Sequence, residues 1–101
     1  MYYIYILYSE SSDRFYIGFS QDPWERVIEH NNDPRNTYTS KHRPWELVTV
    51  FSVGENRSDA IIFEKWIKKQ KSKTLIQKLI NENFHPDGFL APLNRVPHMR
   101  D

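Results

Sequence analysis

Two runs of aromatic and aliphatic residues near the N-terminus constrain the fold of this chain most strongly. Residues 2–8 and 14–19 consist mainly of Tyr, Ile, Leu and Phe, residue types that favour β-strands. Ser11-Ser12-Asp13 lies between the two runs and is typical of a tight turn. The pattern therefore predicts an antiparallel hairpin whose tyrosines could serve either as sheet core or as functional groups.

A helix signal follows the hairpin directly. Asp22 can cap a helix, Pro23 is tolerated at the first helical position, and Glu25 completes a capping box. We expect this helix to end near Asn31. The polar segment 32–44, which contains two prolines, is predicted to be a loop.

The second half of the chain contains one more strand signal and two helix signals. Residues 47–53 are β-branched and aromatic, which predicts a third strand. Asn56 or Ser58 could cap a helix that runs to about Lys71. Residues 75–80 carry aliphatic side chains at helical spacing and predict another helix.

This order of elements predicts an α+β fold, with a three-stranded antiparallel sheet flanked by helices in the order β-β-α-β-α-α. A chain of 101 residues allows one domain with a modest core. We expect that domain to occupy residues 1–82. Residues 83–101 contain three prolines and one glycine and are expected to form an irregular tail or strap.

The composition excludes several classes of protein. Because the chain has no cysteine, it has no disulfide framework, thiol nucleophile or cysteine-ligated zinc. Its longest apolar run, residues 4–8, is far shorter than the ~20 residues of a membrane helix. No segment resembles an export signal, so a cytoplasmic protein with no membrane role is expected.

Positive charge is concentrated in one part of the chain although the net charge is only +1. Six lysines and no acidic residue lie between Lys65 and Lys78. Such a segment suits a polyanion such as nucleic acid. The alternative is a solvated helix face whose lysines keep the protein soluble.

Arg26 and His30 stand four positions apart on the first predicted helix, so both side chains lie on one face. An arginine fork binds phosphate oxygens, and a histidine can carry or accept a proton near neutral pH. The pair could therefore engage one phosphate. Alternatively, Arg26 pairs with Glu29 or Glu25 and His30 faces water.

Glu64 lies on or beside the apolar face of its predicted helix, because its helical neighbours include Ala60, Ile61 and Ile67. A carboxylate held against a core needs a partner. That partner could be a metal ion in a catalytic site, or Lys68 one turn further along. Phosphate-loop, serine-nucleophile and HExxH zinc motifs are absent from the sequence.

These residues together resemble the GIY-YIG nuclease superfamily. The resemblance rests on Tyr3-Ile4-Tyr5, Tyr16-Ile17-Gly18, Arg26, His30 and Glu64 in this order, and it spans residues 2–80. It is strongest to small single-domain proteins similar to the nuclease domain of the bacterial excinuclease UvrC. The resemblance implies hydrolysis of DNA phosphodiesters with one divalent ion, Mg²⁺ or Mn²⁺, with repair proteins as further partners. We expect branched, damaged or single-stranded DNA as the substrate, because 101 residues leave no room for a separate sequence-reading domain.

The resemblance also implies a role for each residue. Glu64 would hold the metal ion, Arg26 would stabilise charge on the phosphate, and Tyr5 would orient or deprotonate the attacking water. Tyr16 would support Tyr5 by hydrogen bonding, and His30 would assist the base. The residues expected to contact DNA are Lys41, Arg43, Lys65, Lys68 and Lys69.

Two positions depart from the family pattern. Phe19 stands where some members carry a lysine, and Ile76 stands where the family has a downstream asparagine. An alternative function is therefore a GIY-YIG module that binds nucleic acid or a repair protein with weak or no catalysis. A structural partner in a repair complex is a third alternative.

Overall fold

A single antiparallel sheet organises the structure, a computed structural model that describes residues 1–35 and 37–99. The elements in chain order are β1 (Tyr2–Ser9), β2 (Arg14–Ser20), α1 (Pro23–Asn32), β3 (Glu46–Gly54), α2 (Arg57–Gln70), α3 (Lys73–Ile80) and β4 (Asn94–Val96). The four strands lie in the order β2-β1-β3-β4. The predicted α+β class and antiparallel sheet are therefore confirmed.

The predicted hairpin is formed by β1 and β2. The two strands pair antiparallel in a register that places Tyr5 opposite Gly18 and Leu7 opposite Tyr16. Asp13 adopts a positive φ of 49° in the connecting turn. Aspartate tolerates this left-handed conformation better than most residues, which explains its position before β2.

Capping side chains set the helix starts. The Asp22 carboxylate accepts a hydrogen bond from the backbone N–H of Glu25 at 3.1 Å, and Asn56 accepts one from Ser58 at 2.9 Å. The predicted starts of α1 and α2 are thus confirmed. The predicted loop 32–44 contains a 3₁₀ turn at Thr39–His42.

Three residues of the predicted loop and tail lie outside the described residues. They are Asn36, Arg100 and Asp101.

The sheet separates two apolar clusters. On one face, the buried side chains of the larger cluster come from the strands, α2, α3 and the segment before β4: Ile4, Ile6, Ile17, Phe51, Ile67, Leu79, Leu90 and Leu93. On the other face, the buried side chains are Tyr5, Leu7, Trp45 and Val50, and side chains of α1 pack against them. Alternation along β1 thus directs its isoleucines to one cluster and Tyr5 to the other.

Within residues 1–35 and 37–99, the sheet has four strands where the sequence predicted three. The extra strand, β4, is only three residues long and pairs with β3. Arg95 holds it in place, since its guanidinium donates to Thr49 Oγ1 at 2.8 Å and lies 4.7 Å from the centre of the Phe51 ring. Tertiary contacts, which a three-residue pattern cannot reveal, therefore create this strand.

The segment between α3 and β4 packs on the core as a strap. Leu90 and Leu93 are buried in the larger cluster, and Phe84 packs against it. The domain boundary after residue 82 stays a prediction. None of the helices in the described part of the chain combines the length and apolarity needed to cross a bilayer.

Candidate functional site

Tyr5 lies at the centre of the predicted set of residues. Its side chain is only 1% exposed, and it faces Gly18 across the hairpin. A Cβ atom at position 18 would lie 2.5 Å from the Tyr5 hydroxyl oxygen and 2.6 Å from the adjoining ring carbon. The second triplet therefore ends in glycine because the Tyr5 phenol occupies the space of a side chain.

His30 joins Tyr5 from α1. The Tyr5 hydroxyl and His30 Nε2 are 3.0 Å apart, which is a hydrogen-bond distance in a buried position. The Tyr16 ring packs edge-on against the imidazole, with ring centres 4.9 Å apart. Since His30 is 8% exposed, the alternative in which it faces water is wrong.

Burial keeps both partners of this hydrogen bond uncharged near neutral pH. It raises the pKa of the Tyr5 hydroxyl, and the nearby Tyr16 and Glu64 reinforce the shift, whereas a hydrogen bond with Arg26 opposes it. Burial also lowers the pKa of His30, and the positive charge of Arg26 lowers it further. A neutral phenol can therefore donate to a neutral imidazole.

Arg26 lies at the exposed edge of the same cluster. Its guanidinium forms an ion pair with Glu29 at 2.9 Å, as one of the alternatives expected. The guanidinium is also close enough to the Tyr5 hydroxyl to lower its pKa against the effect of burial. Half of the Arg26 side chain remains exposed, so it can reach a bound anion.

Glu64 approaches the cluster from α2. Its side chain is 15% exposed, and its carboxylate forms an ion pair with Lys68 Nζ at 3.1 Å. The pairing with Lys68 is one of the two alternatives that the sequence left open. Lys68 Nζ also lies 5.5 Å from the centre of the Tyr16 ring. The hairpin, α1 and α2 thus bring all five predicted residues into one neighbourhood.

A polar cleft of about 210 Å³ opens beside this cluster. Tyr16, Arg26 and His30 line it, together with Glu29, Asp33, Arg35, Thr37, Tyr38 and Thr39. Tyr5 lies behind the cleft and reaches it through His30 and Tyr16. The cleft therefore offers an arginine, a histidine and a phenol to a bound molecule.

The four lysines among the predicted DNA-contacting residues divide into two groups. Lys68 lies beside Tyr16 and Glu64, within the cluster. Lys41, Lys65 and Lys69 are exposed to solvent. The structure does not bring these three lysines to the cleft, and their contact with DNA stays a prediction.

Arg43 has a structural task. Its Nε donates to the backbone carbonyl of His30 at 2.7 Å, and its Nη2 donates to the carbonyl of Asp33. These carbonyls belong to the C-terminal end of α1, where helix acceptors lack partners within the helix. Arg43 therefore fixes the end of the helix that carries His30. Its contact with DNA stays a prediction.

Tyr38 is the functional candidate that sequence reasoning missed. It lies in the predicted loop, is 48% exposed, and shares the wall of the cleft with Tyr16. Its only sequence signal is an aromatic residue within a polar segment. That signal could not place Tyr38, because the loop's path depends on tertiary contacts.

Glu64 is the carboxylate that the sequence predicts as the metal ligand, and it lies close enough to the Tyr5 hydroxyl to affect its pKa. Among residues 1–35 and 37–99, no group of three or more His, Cys, Asp or Glu side chains is placed to hold a metal. Mg²⁺ commonly uses one or two carboxylates together with water and substrate phosphates. Glu64 supplies one carboxylate, which fits that manner of binding, although the carboxylates that line the cleft itself are Glu29 and Asp33.

Comparison with known proteins gives matches over most of the chain. Residues 1–79 match the family described as the GIY-YIG catalytic domain. The structure-specific endonuclease subunit SLX1 of Meyerozyma guilliermondii is 36% identical over 76 residues, covering 70% of this chain and 26% of that protein. The SLX1 subunit of Ajellomyces capsulatus is 38% identical over 63 residues, covering 57% of this chain and 15% of that protein.

A bacterial protein of similar length also matches. The UPF0213 protein in the ldhD 5'region of Pediococcus acidilactici is 33% identical over 82 residues, covering 79% of this chain and 82% of that protein. The chain thus spans about a quarter or less of the two SLX1 subunits but most of the bacterial relative. Because the family match runs through both tyrosine triplets, α1 and α2, the chain belongs to the GIY-YIG family.

Proposed function

We propose that this chain is a divalent-metal-dependent DNA endonuclease that hydrolyses phosphodiester bonds. The observation that carries the proposal is the buried Tyr5–His30 hydrogen bond, with Arg26 and Glu64 close enough to affect the same hydroxyl. The family match and the SLX1 relatives, which are described as structure-specific endonuclease subunits, support it. A nuclease needs a proton acceptor, phosphate-binding charge and an ion ligand, and this cluster contains all three.

In the proposed reaction, Tyr5 and His30 move the proton of the attacking water. The water oxygen forms a bond to phosphorus while its proton passes to the Tyr5 hydroxyl oxygen. The phenol's own proton passes to His30 Nε2, 3.0 Å away. Tyr5 therefore does not need to ionise, which matters because burial raises its pKa.

The remaining side chains manage the charge on phosphorus. Arg26 lies at the cleft edge and can donate to phosphate oxygens as negative charge develops on them. The bond from phosphorus to the departing sugar oxygen breaks, and that oxygen takes a proton from solvent. Tyr16 packs against the imidazole and restricts its orientation.

Glu64 would hold the divalent ion, Mg²⁺ or Mn²⁺. Such an ion would supply positive charge that offsets the negative charge developing in the reaction. Lys68 Nζ pairs with Oε1 of the Glu64 carboxylate at 3.1 Å, so Lys68 adds a second positive charge at this position.

The proposed substrates are branched, damaged or single-stranded DNA, and the proposed context is DNA repair or recombination. The descriptions of the SLX1 relatives as structure-specific support this substrate class. These relatives extend well beyond the matched region, so their partners and their full activities need not be those of this chain.

A catalytically weak binding module is the second candidate. Two observations favour it: the Tyr5 side chain is almost fully covered, and Lys68 occupies the Glu64 carboxylate. The positions that depart from the family pattern are also committed to packing, since Ile76 contacts the larger apolar cluster and Arg57 lies over the Phe19 ring.

Cleavage of end-labelled DNA by the purified protein tests the two candidates. The substrates are single-stranded, duplex, flap and branched DNA with Mg²⁺, Mn²⁺ or EDTA. Glu64→Ala is compared with Glu55→Ala, which removes an exposed carboxylate outside the cluster. The nuclease proposal expects metal-dependent cutting that Glu64→Ala abolishes and Glu55→Ala preserves.

Two outcomes would count against the nuclease. If the wild type and Glu64→Ala are equally inert but both shift labelled DNA, the chain is a binding module. If Glu64→Ala lowers the melting temperature strongly, Glu64 is a structural charge partner of Lys68.

A further inference from the structure

A second groove, larger than the cleft, lies on the other side of Tyr16 and Tyr38. Its volume is about 390 Å³. It runs between the β1–β2 hairpin and the junction of α2 with α3, and its lining includes Phe15, Tyr16 and Tyr38. Tyr16 and Tyr38 line both spaces, so the groove leads directly to the candidate site.

The groove carries an excess of positive charge. Its charged lining residues are one acid, Asp13, and four cations, Arg14, Lys68, Lys71 and Lys73. Asp13 neutralises one of the cations, since Lys73 Nζ lies 3.1 Å from its carboxylate. The others can offset the charge of successive phosphates, although Lys68 does so only after it leaves Glu64.

Aromatic rings line the same groove. Phe15 and Tyr16 are half-buried, whereas Tyr38 is exposed and stands at the boundary with the cleft. Aromatic side chains beside cations form the usual platform for unpaired bases, which stack on a ring while lysines follow the backbone. Bases within a duplex already stack on their neighbours, so this platform suits a single strand.

We infer that this groove binds a single-stranded DNA arm and guides it to the cleft. The inference rests on the proposed function, because the arm becomes a substrate only if the cleft cuts DNA. Its volume lies near the lower end of small-ligand sites, which fits about one unpaired nucleotide of the arm. The chain would accordingly prefer a junction with a single-stranded arm to a blunt duplex.

The groove uses different lysines for binding DNA from those that the charge pattern alone suggests. Lys65 and Lys69 belong to the same lysine-rich segment but do not line the groove. Lys71 and Lys73 do line it, at the end of α2 and the start of α3. Because Lys73 is paired with Asp13, binding that depends on the groove must respond to Lys71 and to Arg14.

The test compares the affinities of a blunt duplex and of the same duplex with an oligothymidine arm, by fluorescence anisotropy in EDTA. Tyr38→Ala should weaken binding of the armed duplex by about 5- to 150-fold, the loss expected for one stacked base. Binding of the blunt duplex should change less than about twofold. Tyr38→Phe, which keeps the ring, should restore binding of the arm.

The charge contribution is tested by the double variant Arg14→Gln, Lys71→Gln, which removes the groove cations other than Lys73, paired with Asp13, and Lys68, paired with Glu64. The slope of log affinity against log salt for the armed duplex should become shallower by about 1–2. Phe89→Ala and Lys78→Gln are matched controls, because one removes an exposed ring and the other a lysine outside the groove. Thermal melts of every variant confirm that each one is folded.

The outcomes separate the groove from the nuclease. If Tyr38→Ala and the double variant Arg14→Gln, Lys71→Gln bind the armed duplex as the wild type does, the groove inference is wrong even when the wild type cuts DNA. If those variants bind the armed duplex more weakly but the wild type cuts no substrate in Mg²⁺ or Mn²⁺, the groove inference is supported and the nuclease proposal is wrong.

Discussion

The buried His30 should leave a signature in the pH dependence of stability. Burial and Arg26 lower its pKa in the folded state below the ordinary value of 6.5. The unfolded chain therefore binds more protons than the folded chain as the pH falls below 6.5, so the free energy of unfolding decreases there. Urea unfolding of the wild type should show lower stability at pH 5 than at pH 7.

His30→Gln isolates the contribution of this residue. The glutamine has no titratable group, so the variant should lose less stability than the wild type over the same pH interval. All other ionisable groups are shared and cancel in the difference. Parallel pH profiles for the two proteins would contradict a neutral, buried His30.

Gly18 is a residue whose identity follows from a packing distance. An alanine Cβ would lie 2.5 Å from the Tyr5 hydroxyl oxygen, so the phenol would have to move. We expect Gly18→Ala to lower the free energy of unfolding by about 1–3 kcal/mol, as overpacking of a core does. Urea unfolding gives this value, and an unchanged midpoint would show that the hairpin accommodates the methyl group.

The two tyrosine triplets could be recognised in the sequence. The contacts that explain why these residues occupy these positions could not. The strand pattern predicted that Tyr5 and Tyr16 lie on neighbouring strands, and the register confirms it. The distance from Tyr5 to His30 depends on how α1 packs on the sheet. Sequence spacing contains no information about that packing angle, so only the resemblance linked these two residues.

At the scale of elements, the strap before β4 should contribute strongly to stability. Leu90 is almost fully buried in the larger apolar cluster, although it lies in the predicted tail. Leu90→Ala should lower the free energy of unfolding by about 2–5 kcal/mol, because it removes buried methyl groups and leaves a cavity. Met99→Ala is the control, because Met99 is largely exposed and should change stability by less than about 0.5 kcal/mol.

The same experiment tests the predicted domain boundary. If Leu90→Ala is as stable as the wild type, residues 1–82 hold the fold without the strap, and the predicted boundary gains support. If it is strongly destabilised, the strap belongs to the domain.

Most elements could be predicted because a few residues close together in the sequence signal each of them. Asp22 and Asn56 cap α1 and α2 through their own side chains, so the starts of these helices were visible in the sequence. The short strand β4 was not visible, because Arg95 is tied to Thr49, 46 positions earlier. Elements held by distant contacts are the ones that pattern reasoning misses.

At the scale of the molecule, the candidate site is the point where the hairpin, α1 and α2 meet. The sequence predicted its five central residues through the family resemblance, and the structure brings them together. The groove was not predicted, because Tyr38, Lys71 and Arg14 come from three separate segments with no shared period. Surfaces assembled from several segments require the tertiary structure.

The central claim is that Tyr5 takes part in phosphodiester cleavage through its hydroxyl. The most direct measurement is the single-turnover cleavage rate of a flap DNA in Mg²⁺ for the wild type and Tyr5→Phe. Phenylalanine keeps the ring but cannot relay a proton to His30, so we predict a rate about 100- to 10,000-fold lower, with the melting temperature little changed. Equal rates for the two proteins would contradict the account.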